Sequence, residues 1–231
     1  TTVARILTKI YKALGVLERG HMLETDRQGL VAGFVGQTAI KTAERVDEAM
    51  GGVLFIDEAY ALTSTGRGSQ GDFGDEAIQT MLKRMEDHRG EFFVFVAGYP
   101  ENMDNFLKAN PGLASRFDKV LRFEDYSPEE LLEIALYMFQ QEHYRVEEDA
   151  REQLGKYLTF LHQFRDKYFG NARSVRQVVL EAIKNQNLRV AAAKLREDQE
   201  VHTIMLDDVA TFTFDKDKLN LFVRKGIGFG K

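Results

Sequence analysis

Two adjacent carboxylates, Asp57 and Glu58, follow directly on four apolar residues, Val53-Leu54-Phe55-Ile56. A short apolar run of this kind reads as a strand buried on both faces of a parallel sheet. Acids at the C-terminal end of such a strand stand where open α/β sheets bind ligands. There the first acid can hold a divalent cation through water, and the second can orient or deprotonate an attacking water. The same hexapeptide also reads as a buried strand with a helix cap at Asp57, and alone it supports both.

The start of the chain bears on that choice. Thr1-Thr2 opens a segment with apolar residues at positions 3, 6, 7, 10, 11 and 14, which is helical period. Asp57 lies 56 positions after Thr1. This is the order of a phosphate-binding loop, its helix and a Walker B strand. The motif G-x-x-x-x-G-K-[ST] would then end at Thr1, with its glycines and lysine ahead of residue 1 and the Thr1 hydroxyl on Mg²⁺. Thr1 reads equally well as an N-cap.

The elements that must position these groups alternate. Helix 3–14 leads to a short strand at His21–Thr25. A glycine-punctuated loop from Gly29 to Gly36 carries Phe34. A helix over Thr38–Met50 precedes the Asp57 strand. Residues 63–75, rich in Ser, Thr, Gly and Asp, read as a mobile surface loop. Helix 75–88 places Ile78, Met81, Leu82 and Met85 on one face. Phe92–Ala97 reads as a second buried strand and Val120–Phe123 as a third. Alternation of this kind predicts a parallel sheet flanked by helices.

The pattern changes at Ser127. Ser127-Pro128-Glu129-Glu130 has the N-cap serine, the proline at the first helical position and the glutamate at the third that mark a helix start. From there to about residue 210 only helices are predicted, through Leu131 and Met138, Leu154 and Leu161, Val175 and Ile183, and a short one near Asp207. The expected organisation is an α/β nucleotide-binding domain over 1–126, a helical lid over 127–212 and a tail over 213–231, with a hinge near Asp125–Ser127.

Composition narrows the function classes. The 231 residues are 44% hydrophobic, which suits a globular protein. No stretch approaches the roughly 20 apolar residues that span a bilayer. Zero cysteines exclude disulfide and thiolate chemistry and fit a reducing, cytoplasmic setting. The net charge is −5 and no basic stripe is present, which argues against a nucleic-acid surface. The five histidines, at 21, 88, 143, 162 and 202, show no metal-ligand spacing.

With these pieces in place the chain resembles the AAA+ ATPases, and within them the branch that contains CbbX and SpoVK. Five blocks carry the resemblance in family order: Leu30–Thr38, Gly51–Tyr60, Ala97–Pro100, Asn110–Phe117 and Gly170–Arg176. The resemblance implies a P-loop-type parallel sheet followed by a small all-helical lid. It implies ATP and Mg²⁺ as cofactors, with Thr1, Thr2, Asp57 and Arg173 on the nucleotide and Thr1 and Asp57 on the metal. It makes Glu58 the catalytic glutamate that orients or deprotonates the attacking water, and Arg116 the arginine finger that reaches a neighbouring subunit's nucleotide. A guanidinium suits that role because its planar fork matches γ-phosphate oxygens. Arg173 matches the sensor 2 arginine of the lid, while Arg176 reads as a lid surface charge.

The family also places an aromatic at Phe34 in the central pore, where it grips a polypeptide. A large apolar residue on a flexible loop needs a contact, and packing into the core is the other way to supply one. Arg116 likewise has an ordinary reading as a surface arginine paired with Asp118. One position departs from the family. A polar sensor 1 residue commonly follows the strand that is Phe92–Ala97 here, and Gly98 and Tyr99 stand there, so no sensor 1 is assigned. The family's strand order further implies a central strand ahead of residue 1.

The expected activity is ATP-driven protein remodelling by a homo-oligomeric ring, a hexamer, that engages a client through pore loops in chaperone-like fashion. A nucleotide-dependent assembly scaffold with little hydrolysis is the alternative, and a DNA-acting motor the third. The client is not legible in the sequence.

Overall fold

The computed structural model describes residues 1–63, 73–117, 119–165, 169–193 and 201–215. Most of the loop over 63–75, Asp118 and the tail beyond 215 lie outside the described residues. The chain divides into two compact units, Thr1–Arg122 and the residues from Phe123 on.

The first unit is built on three parallel strands, β1 (Met22–Thr25), β2 (Val53–Ile56) and β3 (Phe93–Val96), in the order β1-β2-β3. Met22 pairs with Val53 and Thr25 with Ile56; Val53 pairs with Phe93 and Ile56 with Val96. All four residues of β2 are buried, as a strand flanked on both edges and covered on both faces requires. Around the sheet lie α1 (Thr2–Ala13), α2 (Arg27–Leu30), α3 (Gln37–Glu48) and α4 (Gly74–Asp87), with α5 (Pro100–Ala109) and α6 (Pro111–Arg116) following β3.

Local chemistry accounts for these helices. Asp75 and Glu76 sit in the first turn of α4, where the helix dipole favours anions. Its buried Ala77, Ile78, Met81 and Leu82 form the stripe that helical period demands. In α3 the buried positions are Thr38, Thr42 and Val46, each four residues apart. Leu30, Val46, Leu54, Ile56, Met81 and Phe106 share one apolar core.

One expectation fails at the end of this unit. Val120–Phe123 forms no strand, and Val120, Leu121 and Phe123 are exposed. A strand exists only by pairing, and among the described residues this segment has no neighbour to pair with; the outer edge of β3 is unpaired as well. Arg116 closes α6. Asn110 caps that helix, its Oδ1 accepting from the Gly112 N–H at 2.8 Å, and Pro111 occupies the first turn.

The second unit is helical: α7 (Pro128–Gln141), α8 (Glu148–Gln163), α9 (Ala172–Ala193) and the short α10 (Leu206–Val209). The serine start of α7 forms the full capping box. Ser127 Oγ accepts from the Glu130 N–H at 3.2 Å, and Glu130 Oε2 accepts from the Ser127 N–H at 2.8 Å. The helix-only reading misses a parallel ladder of two-residue strands, β4 (Arg145–Val146) and β5 (Thr203–Ile204). Two residues are too few to show any period. Leu131, Phe139, Leu154, Leu158, Val175 and Ile204 form the core.

An ion pair ties α9 to α10. Arg189 donates from Nε to Asp208 Oδ1 at 2.9 Å and from Nη2 to Asp208 Oδ2 at 3.1 Å. Asp208 is 1% exposed, and its Oδ2 also accepts from the Met205 N–H at 2.8 Å.

Candidate functional site

The acid pair stands at the C-terminal end of β2. The Asp57 N–H donates to the Thr25 carbonyl at 2.9 Å, which continues the β1-β2 ladder one residue past the strand. Asp57 is half-buried, and its Oδ1 accepts from the Glu58 N–H at 3.0 Å. Glu58 is exposed and adopts a left-handed conformation with φ 48°. For a residue with a Cβ that backbone costs about 1–3 kcal/mol, and it persists only where surrounding bonds fix it. Here the Ala59 N–H donates to the Ala97 carbonyl of the neighbouring strand end at 3.1 Å, and the Ala61 N–H to the Glu58 carbonyl at 2.8 Å. The helix-cap alternative for Asp57 thus gives way to a sharp turn that throws Glu58 clear of the sheet and into a 3-10 turn over Ala59–Leu62.

Among the described residues neither Asp57 nor Glu58 has a cationic partner. An uncompensated pair of hard oxygen donors fits Mg²⁺, which keeps several waters and takes one or two carboxylates. No group of three or more His, Cys, Asp and Glu gathers among the described residues, and a cation held through water and phosphate oxygens requires none.

α1 begins at the same end of the sheet. Arg5, in its first turn, pairs with Glu24 of β1 at 2.9 Å, and Tyr11 packs its ring on Phe93 at 5.4 Å between centroids. Thr1 stands at the N-cap of α1, yet its side chain makes no capping hydrogen bond. Thr2 is the first helical residue and is exposed.

The loop with Phe34 is anchored at its base and free at its tip. Thr38 Oγ1 accepts from the Ala32 N–H at 3.0 Å, and Thr42 Oγ1 donates to the Leu30 carbonyl at 3.1 Å. Lys41 Nζ donates to the carbonyls of Gln28 and Val31 at 2.6 and 3.0 Å. Phe34 is 72% exposed and Val35 86%, so Phe34 does not fold into the core of this unit. Thr38, Lys41 and Thr42 escaped the sequence reading. Their spacing of three and four residues on one helix face, directly after the loop, was the available signal.

Arg116 lies apart from the acid pair's turn, on α6. Its Nη2 donates to Glu86 Oε2 of α4 at 3.0 Å, and its Nε is buried without a partner. The pairing with Asp118 falls outside the described residues.

Arg173 belongs to the second unit, in the first turn of α9. Asn171 precedes the helix at φ 48°, with Oδ1 accepting from the Tyr126 N–H at 3.0 Å and Nδ2 donating to Asp125 Oδ1 at 2.7 Å. The Asn171 amide, with help from Arg165 at 2.9 Å, holds the Asp125 carboxyl below its usual range. This clasp fixes the start of α9. Arg173 and Arg176 are exposed, and neither side chain has a partner among the described residues.

A parallel sheet with an acid pair at the C-terminal end of its middle strand, followed along the chain by a helical unit that carries Arg173 at the start of α9, is the arrangement of a nucleotide-binding domain and a lid. The chain belongs to the ATPase family associated with various cellular activities (AAA), whose model matches residues 1–125, and the AAA lid domain model matches residues 127–219. Its relatives are CbbX/SpoVK-like AAA+ proteins. Stage V sporulation protein K of Bacillus subtilis (strain 168) is 40% identical over 211 residues, 91% of this chain and 65% of that protein. The chloroplastic ribulose bisphosphate carboxylase/oxygenase activase of Cyanidioschyzon merolae is 39% identical over 211 residues, 90% of this chain and 71% of that one. The ESX-1 secretion system protein EccA1 of Mycobacterium tuberculosis (strain ATCC 25618 / H37Rv) is 50% identical over 135 residues, 58% of this chain and 24% of its own length. The chain thus spans less than two thirds of the sporulation relative. Membership carries ATP binding, usually with Mg²⁺, and ATPase activity as the general expectation of the family. Among the described residues no helix is long and apolar enough to cross a membrane.

Proposed function

We propose that the full-length protein is an ATP-driven protein remodeller that works as a homo-oligomeric ring, a hexamer. The observation that carries this reading is the Asp57–Glu58 pair, fixed by three backbone hydrogen bonds and by the Glu58 N–H to Asp57 Oδ1, and without a counter-charge among the described residues. Bound Mg²⁺-ATP supplies the phosphoanhydride and spreads charge from its γ-phosphate. Asp57 holds the metal's waters, and the exposed Glu58 orients or deprotonates the attacking water. Thr1 offers its uncapped hydroxyl to the metal, with Thr2 beside it on the nucleotide. Arg116 is presented to the nucleotide of an adjacent subunit, and Arg173 reports the γ-phosphate to the lid. The boundaries 1–126, 127–212 and 213–231 and a cytoplasmic location belong to the same proposal. The client stays open among the processes in which the relatives are named.

Glu58→Gln should keep ATP binding and lower turnover at least about 10²-fold, the scale of a lost acid–base group. Nucleotide affinity and phosphate release, measured together on the variant, check this. Normal turnover would place water activation elsewhere.

Phe34 supports the threading part of the reading, because a 72% exposed ring on a firmly based loop has nothing in its own unit to serve. Phe34→Ala should change the stability by no more than the small range of surface substitutions, about 0.5 kcal/mol, and leave basal ATP turnover intact. It should remove the stimulation of turnover by a permanently unfolded model polypeptide. Unchanged stimulation would contradict threading. A loss of about 3–5 kcal/mol would instead be the signature of a core phenylalanine.

A further inference from the structure

Asn171 joins the segment that leads into α7 to the turn that carries Arg173. Its Oδ1 accepts from the Tyr126 N–H at 3.0 Å, and its Nδ2 donates to Asp125 Oδ1 at 2.7 Å. A backbone donor on one side and a carboxylate on the other leave the amide a single orientation. Asp125 Oδ2 accepts from Arg165 Nε at 2.9 Å, and Arg165 Nη1 donates to the His162 carbonyl in the last turn of α8 at 2.7 Å. Residues 125–126, the end of α8 and the start of α9 therefore meet at one point.

The same turn is fastened to Arg173. The Arg173 N–H donates to the Gly170 carbonyl at 2.9 Å, and the Val175 N–H to the Asn171 carbonyl at 3.1 Å. The Gly170 N–H donates to Ser174 Oγ at 3.1 Å. A Cβ at Gly170 would lie 3.1 Å from Arg173 Cβ, tighter than ordinary van der Waals contact. The direction in which Arg173 leaves the backbone is thus set by the turn. Beyond that point its side chain is exposed, with no partner among the described residues. The turn aims the arginine, and the Asn171 amide aims the turn.

A guanidinium meets phosphate oxygens in a narrow, bidentate geometry. A turn free to rock would forfeit much of that contact, since small misplacements are costly in such sites.

We propose that Asn171 is a positioning residue: through Asp125 and the Tyr126 N–H it sets the direction in which Arg173 presents its guanidinium to the terminal phosphate of ATP. This rests on the reading of Arg173 given above.

The test compares the affinities of the full-length protein for ADP and for a non-hydrolysable ATP analogue, because only the analogue carries the γ-phosphate. Asn171 has φ 48°, which glycine adopts without strain, so Asn171→Gly removes the amide and keeps the backbone. It should weaken the analogue about tenfold, the scale of one hydrogen bond to a charged group, and leave ADP unchanged. In an Arg173→Ala background it should add no further loss, because the amide acts through the arginine. Asn171→Asp sets two carboxylates against each other and should weaken the analogue as well. Adding Asp125→Asn restores the clasp with donor and acceptor exchanged, and should recover the affinity. Unchanged analogue affinity in Asn171→Gly, equal losses for analogue and ADP, a further loss in Arg173→Ala, or no recovery in the exchanged pair overturns the assignment and leaves the reading of Arg173 intact. An Arg173→Ala protein with the wild-type ratio of analogue to ADP affinity overturns both.

Discussion

Arg116→Ala is expected to lower ATP turnover of the assembled protein by about 10³-fold or more, the range known for removal of an arginine finger. The subunit should remain folded. Arg116 meets Glu86 on a surface where the arginine side chain is 29% and the glutamate 60% exposed. An ion pair of that kind is worth at most about 1 kcal/mol, so exchanging Glu86 for a neighbour's phosphate is cheap. Its buried, unpartnered Nε adds nothing that alanine would lose. The decisive form of the experiment mixes two inactive variants. Arg116→Ala and Glu58→Gln subunits together contain interfaces that pair an intact Glu58 with an intact Arg116. Partial recovery of phosphate release at intermediate ratios is the expected result. Absence of recovery at every ratio, with mixed assemblies present, would contradict action across subunits.

Asp208→Ala should destabilise the helical unit by about 2–3 kcal/mol, the scale of losing a buried acceptor of charge-assisted hydrogen bonds, since Arg189 is 20% exposed and keeps its bond to the Thr203 carbonyl. Three losses combine. Arg189 loses both oxygens of a bidentate partner, the Met205 N–H loses its acceptor, and α9 loses its tie to α10. The expected readout is a first melting transition lowered by roughly 10 °C or more. Replacing the pair together, as Arg189→Met with Asp208→Leu, should be milder, because apolar packing then takes the place of the bidentate pair. A single variant as stable as the double would show that the pair is not mutually dependent.

The features legible in the sequence share a cause. Val53–Ile56 stands out because burial on two faces requires an unbroken apolar run, and Asp57-Glu58 because acids are rare at its end. The Ser127 capping box is visible because four consecutive residues specify it. The failures have equally local reasons. Val120–Phe123 has strand composition, yet pairing is a property of the neighbour and not of the segment. The ladder of Arg145–Val146 with Thr203–Ile204 joins residues some 58 positions apart through two residues each, leaving no pattern to read. Tyr99-Pro100 and Asn110-Pro111 did carry a signal: each proline opens a helix, the second with an asparagine cap, by the rule that correctly placed Pro128.

The central claim is that the acid pair at the end of β2 is an ATP-hydrolysing centre. Its most direct test measures Mg²⁺-dependent ATP binding and phosphate release on the same preparations of the full-length wild type and Glu58→Gln. Equal binding in both is expected, with release in the wild type and at least about a 10²-fold loss in the variant. Equal rates of release, or no release from a wild type that binds ATP, would contradict it.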